Sequence, residues 1–123
     1  MPIIRKNEAP VFDLPGLAVQ GLASPARGSR ETCVWRIALA PGAPGVPHAV
    51  TREEVFIATS GIAVAVVAGA RHELRAGDAL IVPAGVEFAL SNPSDCAFEA
   101  VVTLPVGGQA VTSEGTFTPP WAE

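Results

Sequence analysis

The chain has 123 residues, of which 49% are apolar and 16% charged, so it is too hydrophobic for disorder and fits one domain with a single core. The formal charge of −4 comes from twelve acidic and eight basic residues scattered along the sequence, which argues against nucleic acid as a partner. No uninterrupted apolar run is near the length of a membrane span, which is about 18 residues. Asn7, Glu8 and Pro10 interrupt the N-terminal stretch where a signal peptide would lie. We expect a cytoplasmic protein with no membrane partner.

Short strands are the predicted elements along the whole chain. Twelve glycines and twelve prolines leave almost no window for an apolar stripe at helical spacing. Between these breakers lie runs rich in Val, Ile, Phe, Thr and Trp, which favour strands over 17–22, 32–40, 46–50, 54–60, 62–67, 71–75, 79–82, 87–92 and 97–104. Turn sequences such as Ala76-Gly77-Asp78 separate them. The sequence therefore predicts an all-β fold with almost no helix, either a barrel or a two-sheet jelly roll.

The termini and the cysteines give further expectations. Residues 1–123 show no boundary with enough chain beyond it for a second core, so we expect a single domain. The tail contains Phe117 and Trp121. Because burial stabilises apolar surface, we expect the tail to dock on the barrel or on a partner. Cys33 and Cys96 both lie in apolar stretches without metal-binding spacing, which predicts two buried, reduced thiols.

Two stretches carry a specific spacing of glycine, proline, histidine and glutamate. Residues 42–61 are GAPGVPHAVTREEVFIATSG, and residues 77–92 are GDALIVPAGVEFALSN. They resemble the two cupin motifs, G-x5-H-x-H-x3,4-E-x6-G and G-x5-P-x-G-x2-H-x3-N. The resemblance implies a single cupin β-barrel, also called a double-stranded β-helix or jelly roll, over about 31–104. The N-terminal strand segment and the C-terminal tail would pack on this barrel or on a partner.

The two motifs depart from the family pattern at the metal ligands. In cupins, three histidines and one glutamate from these motifs hold a divalent metal inside the barrel. Here only His48 and Glu54 remain, while Val50 and Phe88 occupy the other two positions. Because catalytic metal sites usually need three or more ligands, we expect no tightly bound metal and no cofactor. A metal-dependent cupin with a reduced ligand set stays open as an alternative, with His72 as a third ligand, although exposed histidines are common near a hairpin end.

Without a metal, the interior becomes an apolar pocket with a few polar groups, which is how small-molecule sites are built. The predicted ligand-binding residues are Trp35, Val50, Phe56, Phe88 and Leu90, with Val64 and Leu80 as further lining candidates. His48 and Glu54 are the catalytic candidates, because an imidazole and a carboxyl can act as general acid and base in isomerase-, cyclase- or lyase-like reactions.

Several functions remain compatible with this site. The chain is expected to bind a small organic ligand, and the alternatives are the acid–base enzyme, the metal enzyme, or a relic in which His48 and Glu54 hydrogen-bond each other. Many small cupins are dimers, so a homodimer is also expected, with the tail or residues 11–22 at its interface. The ligand itself cannot be deduced from the residues.

Overall fold

The computed structural model describes all 123 residues, with 51% in strands and 5% in helix, which confirms the all-β prediction. The strands are β1 (Val11–Leu14), β2 (Leu17–Ala23), β3 (Thr32–Leu39), β4 (Ala49–Val50), β5 (Glu54–Ser60), β6 (Ile62–Val67), β7 (Ala70–Arg75), β8 (Ala79–Val82), β9 (Phe88–Ser91), β10 (Phe98–Pro105), β11 (Ala110–Thr112) and β12 (Gly115–Phe117). Two 3-10 helices cover Pro25–Arg27 and Pro120–Ala122. None of the helices is long and apolar enough to cross a membrane.

The strands form three antiparallel sheets rather than one closed barrel. The large sheet has the order β1-β2-β3-β10-β5-β8, and the two small sheets have the orders β7-β6-β9 and β12-β11-β4. This is the jelly-roll form of the predicted fold. Each of the nine predicted strands overlaps an observed one, whereas β1, β11 and β12 were not predicted as strands.

One core cluster of 20 buried residues lies between the sheets. Strand alternation selects its members: along β10, for example, Ala100, Val102 and Leu104 are buried while the residues between them are less so. Phe88, Phe98 and Leu104 are among the largest of its fully buried side chains. The inward faces of the strands therefore meet in a packed apolar interior.

Two predictions of side-chain position are wrong. Val64 is buried but lies outside the core cluster, because its cross-strand partners are Glu73 and Ser91 on the outer face, while Ala65 pairs with Leu90 and faces inward. Cys96 is exposed, because it lies in the loop after β9 rather than in a strand. Cys33 is buried as expected, and burial raises the pKa of its thiol.

The turn at Gly61 has a backbone that only glycine fits. Its φ is 81°, in the left-handed region, and a Cβ added there would lie 2.4 Å from the carbonyl oxygen of Ala97. This glycine ends the first motif and allows β5 to turn directly into β6. The motif glycine at position 85 also has a positive φ, of 78°.

The C-terminal tail lies against the N-terminal strands of the same chain. The indole of Trp121 contacts the rings of Phe12 and Trp35, with centroid distances of 6.0 and 6.3 Å. The guanidinium of Arg27 donates a hydrogen bond to the carbonyl oxygen of Trp121, and Ala122 is buried. The tail therefore extends the apolar core at this end of the domain.

Candidate functional site

The two motif segments meet at a backbone bridge between His48 and Phe88. The N–H of each residue donates to the carbonyl oxygen of the other, at 3.0 Å and 2.8 Å. A second link ties the same segments together, because the N–H of Gly85 donates to the carbonyl of Val50 at 2.8 Å. Two of the family's ligand positions, now His48 and Phe88, are thus direct neighbours.

The imidazole of His48 has a defined orientation and tautomer. Its ring lies over the ring of Phe88, with a centroid distance of 4.3 Å and an interplanar angle of 47°. Its Nδ1 atom lies 2.9 Å from the carbonyl oxygen of Val46. Because a carbonyl only accepts, Nδ1 carries a hydrogen, and Nε2 is the atom of the ring that can accept in the uncharged imidazole. Val46 was not predicted as a site residue, since nothing in the sequence marks a backbone carbonyl as a partner.

Hydrocarbon occupies the two positions where the family places its other histidines. Phe88 is only 1% exposed and Val50 only 3%. Phe56, on β5, meets the edge of the Phe88 ring at a centroid distance of 5.8 Å. The predicted residues Val50, Phe56 and Phe88 therefore belong to one apolar wall, which carries the imidazole of His48.

Glu54 is a buried carboxyl without a partner. It begins β5, pairs with Val82 on β8, and shares its inward direction with Phe56, while Glu53 is exposed as strand alternation predicts. Its side chain is in no hydrogen bond or ion pair of the structure, and burial raises the pKa of its carboxyl from 4.5 to about 8. At neutral pH this group is mostly the uncharged acid, which has a hydrogen to donate.

His48 and Glu54 are not joined by a hydrogen bond or an ion pair. The interpretation as a mutually hydrogen-bonded relic is therefore wrong, because Nδ1 of His48 is directed to Val46 instead. Both polar groups are left with unused hydrogen-bonding capacity next to the same apolar wall.

The other predicted ligand-binding residues lie farther along the core. Leu90 is buried and follows Phe88 on the inward face of β9. Trp35 faces inward, in contrast to the exposed Arg36, but its aromatic neighbour is Trp121 of the tail. The further candidate Leu80 is half-buried and pairs with Phe56.

The side chains present do not suit a cupin metal ion. No group of three or more His, Cys, Asp and Glu side chains is arranged to hold a metal. His72 pairs with Ala65 on the edge strand β7, where it is exposed, and it does not join His48 and Glu54. With Val50 and Phe88 supplying no lone pair, the four-ligand set of the family cannot form.

A groove of about 590 Å³ lies between the edge strands β7 and β8. The groove is lined by Ala65, Val67, His72, Glu73, Leu74, Gly77, Asp78, Ala79, Leu80 and Ile81. Of the predicted lining and ligand residues, only His72 and Leu80 reach it. Nothing in the sequence indicates this groove, because it depends on which two strands lie at the sheet edges.

A model of the cupin domain matches residues 35–110, and the chain therefore belongs to the cupin family. The polyketide cyclase RemF from Streptomyces resistomycificus is similar in structure, with a TM-score of 0.77 and 15% identity, over 85% of this chain and 79% of that one. An RmlC-like cupin from Shewanella frigidimarina superimposes with a TM-score of 0.73 and 24% identity, over 84% and 88%. A cupin-superfamily sugar phosphate isomerase from Silicibacter pomeroyi gives 0.67 and 22%, over 84% and 75%.

Because all three identities are below 25%, these likenesses establish the fold alone. No curated protein sequence matches the chain.

Proposed function

We propose that this cupin binds a small organic molecule between Glu54 and His48, against the apolar wall of Val50, Phe56 and Phe88, and without a tightly bound metal. The observation that carries the proposal is the unpaired carboxyl of Glu54, which is only 5% exposed. The polar side-chain atoms that are fully enclosed without a hydrogen bond are Ser24 Oγ and Trp121 Nε1. The Glu54 oxygens are not among them, so a molecule from solvent can reach this carboxyl. A ligand that accepts a hydrogen bond from this carboxyl would supply the partner.

The two polar groups define the chemical class of the ligand. The protonated Glu54 offers a donor, and Nε2 of His48 offers an acceptor. A neutral hydroxy-carbonyl compound presents the complementary pair, with a carbonyl for Glu54 and a hydroxyl for His48. Its carbon frame would lie beside the half-buried His48 ring, because the Phe88 ring behind it is only 1% exposed. A cytoplasmic location and the absence of a cofactor are predictions from the sequence alone.

Acid–base catalysis is the second candidate function, and the same two groups favour it. A pKa of about 8 keeps Glu54 close to the working range of a general acid. Nε2 of His48 would take a proton from the carbon next to the carbonyl as Glu54 gives its proton to the carbonyl oxygen, so that an enol forms and charge balances. The cyclase and the sugar phosphate isomerase among the similar structures are proteins in which a cupin fold carries an enzyme.

A thermal-shift titration with acetoin and α-hydroxyacetophenone tests the binding proposal. We expect these compounds to stabilise the wild type at pH 6.5, and to do so much less at pH 9.5, where Glu54 has lost its proton. Glu54→Gln should bind at both pH values, because its amide donates but does not titrate, whereas Glu54→Leu should not bind. Glu53→Gln is the matched control, since it changes the adjacent exposed carboxylate.

Stabilisation that survives in Glu54→Leu, or none in the wild type, would refute the assignment of the site. Exchange of the acetoin methine hydrogen in D2O, followed by proton NMR, separates a binding protein from an enzyme. Exchange that requires both His48 and Glu54 would establish catalysis, and binding without exchange would leave a binding protein.

A further inference from the structure

The outward side of the large sheet carries an apolar surface, which we call the outer sheet face. Strand alternation turns six of its apolar side chains away from the core: Val34, Val55, Ile57, Ala79, Ile81 and Val101. Ile57 is 40% exposed and Ile81 is 58% exposed, and they lie on the neighbouring strands β5 and β8. A contiguous exposed apolar patch of this kind typically marks an interaction surface.

The C-terminal tail does not cover the outer sheet face. Trp121 contacts Phe12 and Trp35, and both of these side chains point to the inward side of the sheet. The exposure of Ile57 and Ile81 persists with every residue of the chain in place. Residues 1–123 therefore leave Ile57 and Ile81 uncovered.

The charges on this face point to a second copy as that partner. Arg36 and Glu99 are exposed on the neighbouring strands β3 and β10, two residues apart in register, since Arg36 pairs with Val101 and Glu99 with Ala38. The one ion pair in the structure joins Arg75 and Glu73, so neither of these two groups is neutralised. The guanidinium of Arg36 donates only to Oε1 of Gln20.

We propose that the chain forms a homodimer through the outer sheet face, with Arg36 of each copy paired to Glu99 of the other. In a two-fold interface a surface meets itself, so one positive and one negative group on the same face become two ion pairs. Strands about 4.8 Å apart, with same-face residues about 6.8 Å apart, fix where the axis must lie. When the strands are laid flat with these spacings, we consider the two-fold axis that runs parallel to the sheet and exchanges Arg36 with Glu99. This axis passes within about 2 Å of Val101, Ile57 and Ile81.

The same axis brings apolar side chains together across the interface. Val101, Ile57 and Ile81 lie along it and would meet their own copies, while Val55 would face Ala79 of the second copy. An apolar centre flanked by two ion pairs has the arrangement of a specific interface, in which buried apolar groups supply affinity and charges supply register. The interface thus differs from the tail and the 11–22 segment that the sequence suggested.

Multi-angle light scattering on the full chain at 5–200 µM tests this proposal. The wild type should have twice the chain mass of 12.6 kDa. Ile57→Asp and Ile81→Asp should each give a monomer. The charge reversals Arg36→Glu and Glu99→Arg should each weaken the dimer at least tenfold, and the double reversal should restore the affinity to within threefold. Arg71→Glu, an exposed arginine on β7 of a small sheet, is the control and should leave the mass unchanged.

Circular dichroism and melting temperature establish that each variant is folded. If an Asp variant unfolds, the charge reversals still decide the test, because they change only exposed groups. A monomeric wild type at 200 µM would overturn the proposal. So would a dimer that both Asp variants leave intact, or a double reversal that fails to restore affinity, because the contact would then lie elsewhere.

Discussion

Replacing Glu54 by glutamine is expected to remove a pH dependence of stability that the buried carboxyl imposes on the wild type. Below pH 4.5 the folded and unfolded chains both hold this proton. Between pH 4.5 and about 8 the folded chain keeps it and the unfolded chain releases it, so the free energy of unfolding falls by about 1.4 kcal/mol per pH unit. Above about 8 both states have lost it, and the loss is complete.

The contribution of Glu54 should therefore fall by about 3 kcal/mol between about pH 5 and pH 7.5. The assay is urea unfolding at a series of pH values, followed by the fluorescence of Trp35 and Trp121. Other carboxyls titrate as well, so the measured quantity is the difference in free energy of unfolding between Glu54→Gln and the wild type, which should rise with pH. Glu53→Gln should follow the wild type. A difference that is flat over this range, or that falls with pH, would refute the account of Glu54 as a buried acid.

Three further substitution experiments test the packing and the motif alignment. Gly61→Ala should lower the free energy of unfolding by at least about 2 kcal/mol, because the new Cβ would meet the Ala97 carbonyl. Gly69→Ala, at a similar φ of 82° but in open space, should lower it by about 1 kcal/mol. Equal losses in chemical denaturation would contradict the close contact at Gly61. Trp121→Ala should lower the free energy of unfolding by about 2 kcal/mol, because the contacts with Phe12 and Trp35 are lost. Phe117→Ala, at an exposed aromatic residue, should change the melting temperature little. Similar losses in the two variants would mean that the tail is not docked. Changing Val50 and Phe88 together to histidine should create a zinc site that calorimetry detects and the wild type lacks, and equal affinity in a folded variant would show that these positions do not converge with His48 and Glu54.

Local spacing accounts for the parts of the fold that the sequence predicted. The strands follow from alternation and frequent breakers, and the motif glycine at position 61 lies in the turn between β5 and β6 with a positive φ. The resemblance to the cupin motifs implied that positions 48 and 88 lie close together, and the two segments do pair at a His48–Phe88 bridge. The inward direction of Glu54 followed from the same spacing together with strand alternation.

Features set by the meeting of distant strands escaped sequence reasoning. The position of Val64 depends on its register with β7 and β9, and composition could not show that Ala65 rather than Val64 faces inward. The neighbour of Trp35 is Trp121, which is distant in sequence. The Nδ1 partner of His48 is a backbone carbonyl, and the absence of any partner for Glu54 is a property of the packed core.

Direct titration of the Glu54 carboxyl tests the proposed site most directly. Carbon-13 NMR of protein labelled at the glutamate side-chain carboxyls, with Glu54→Gln used for assignment, gives its pKa with and without α-hydroxyacetophenone. We expect a pKa of about 8 for Glu54 in the free protein and a higher pKa with the compound bound, because the compound accepts a hydrogen bond from the protonated form alone. A Glu54 carboxyl that titrates near 4.5, or whose pKa the compound leaves unchanged, would contradict it.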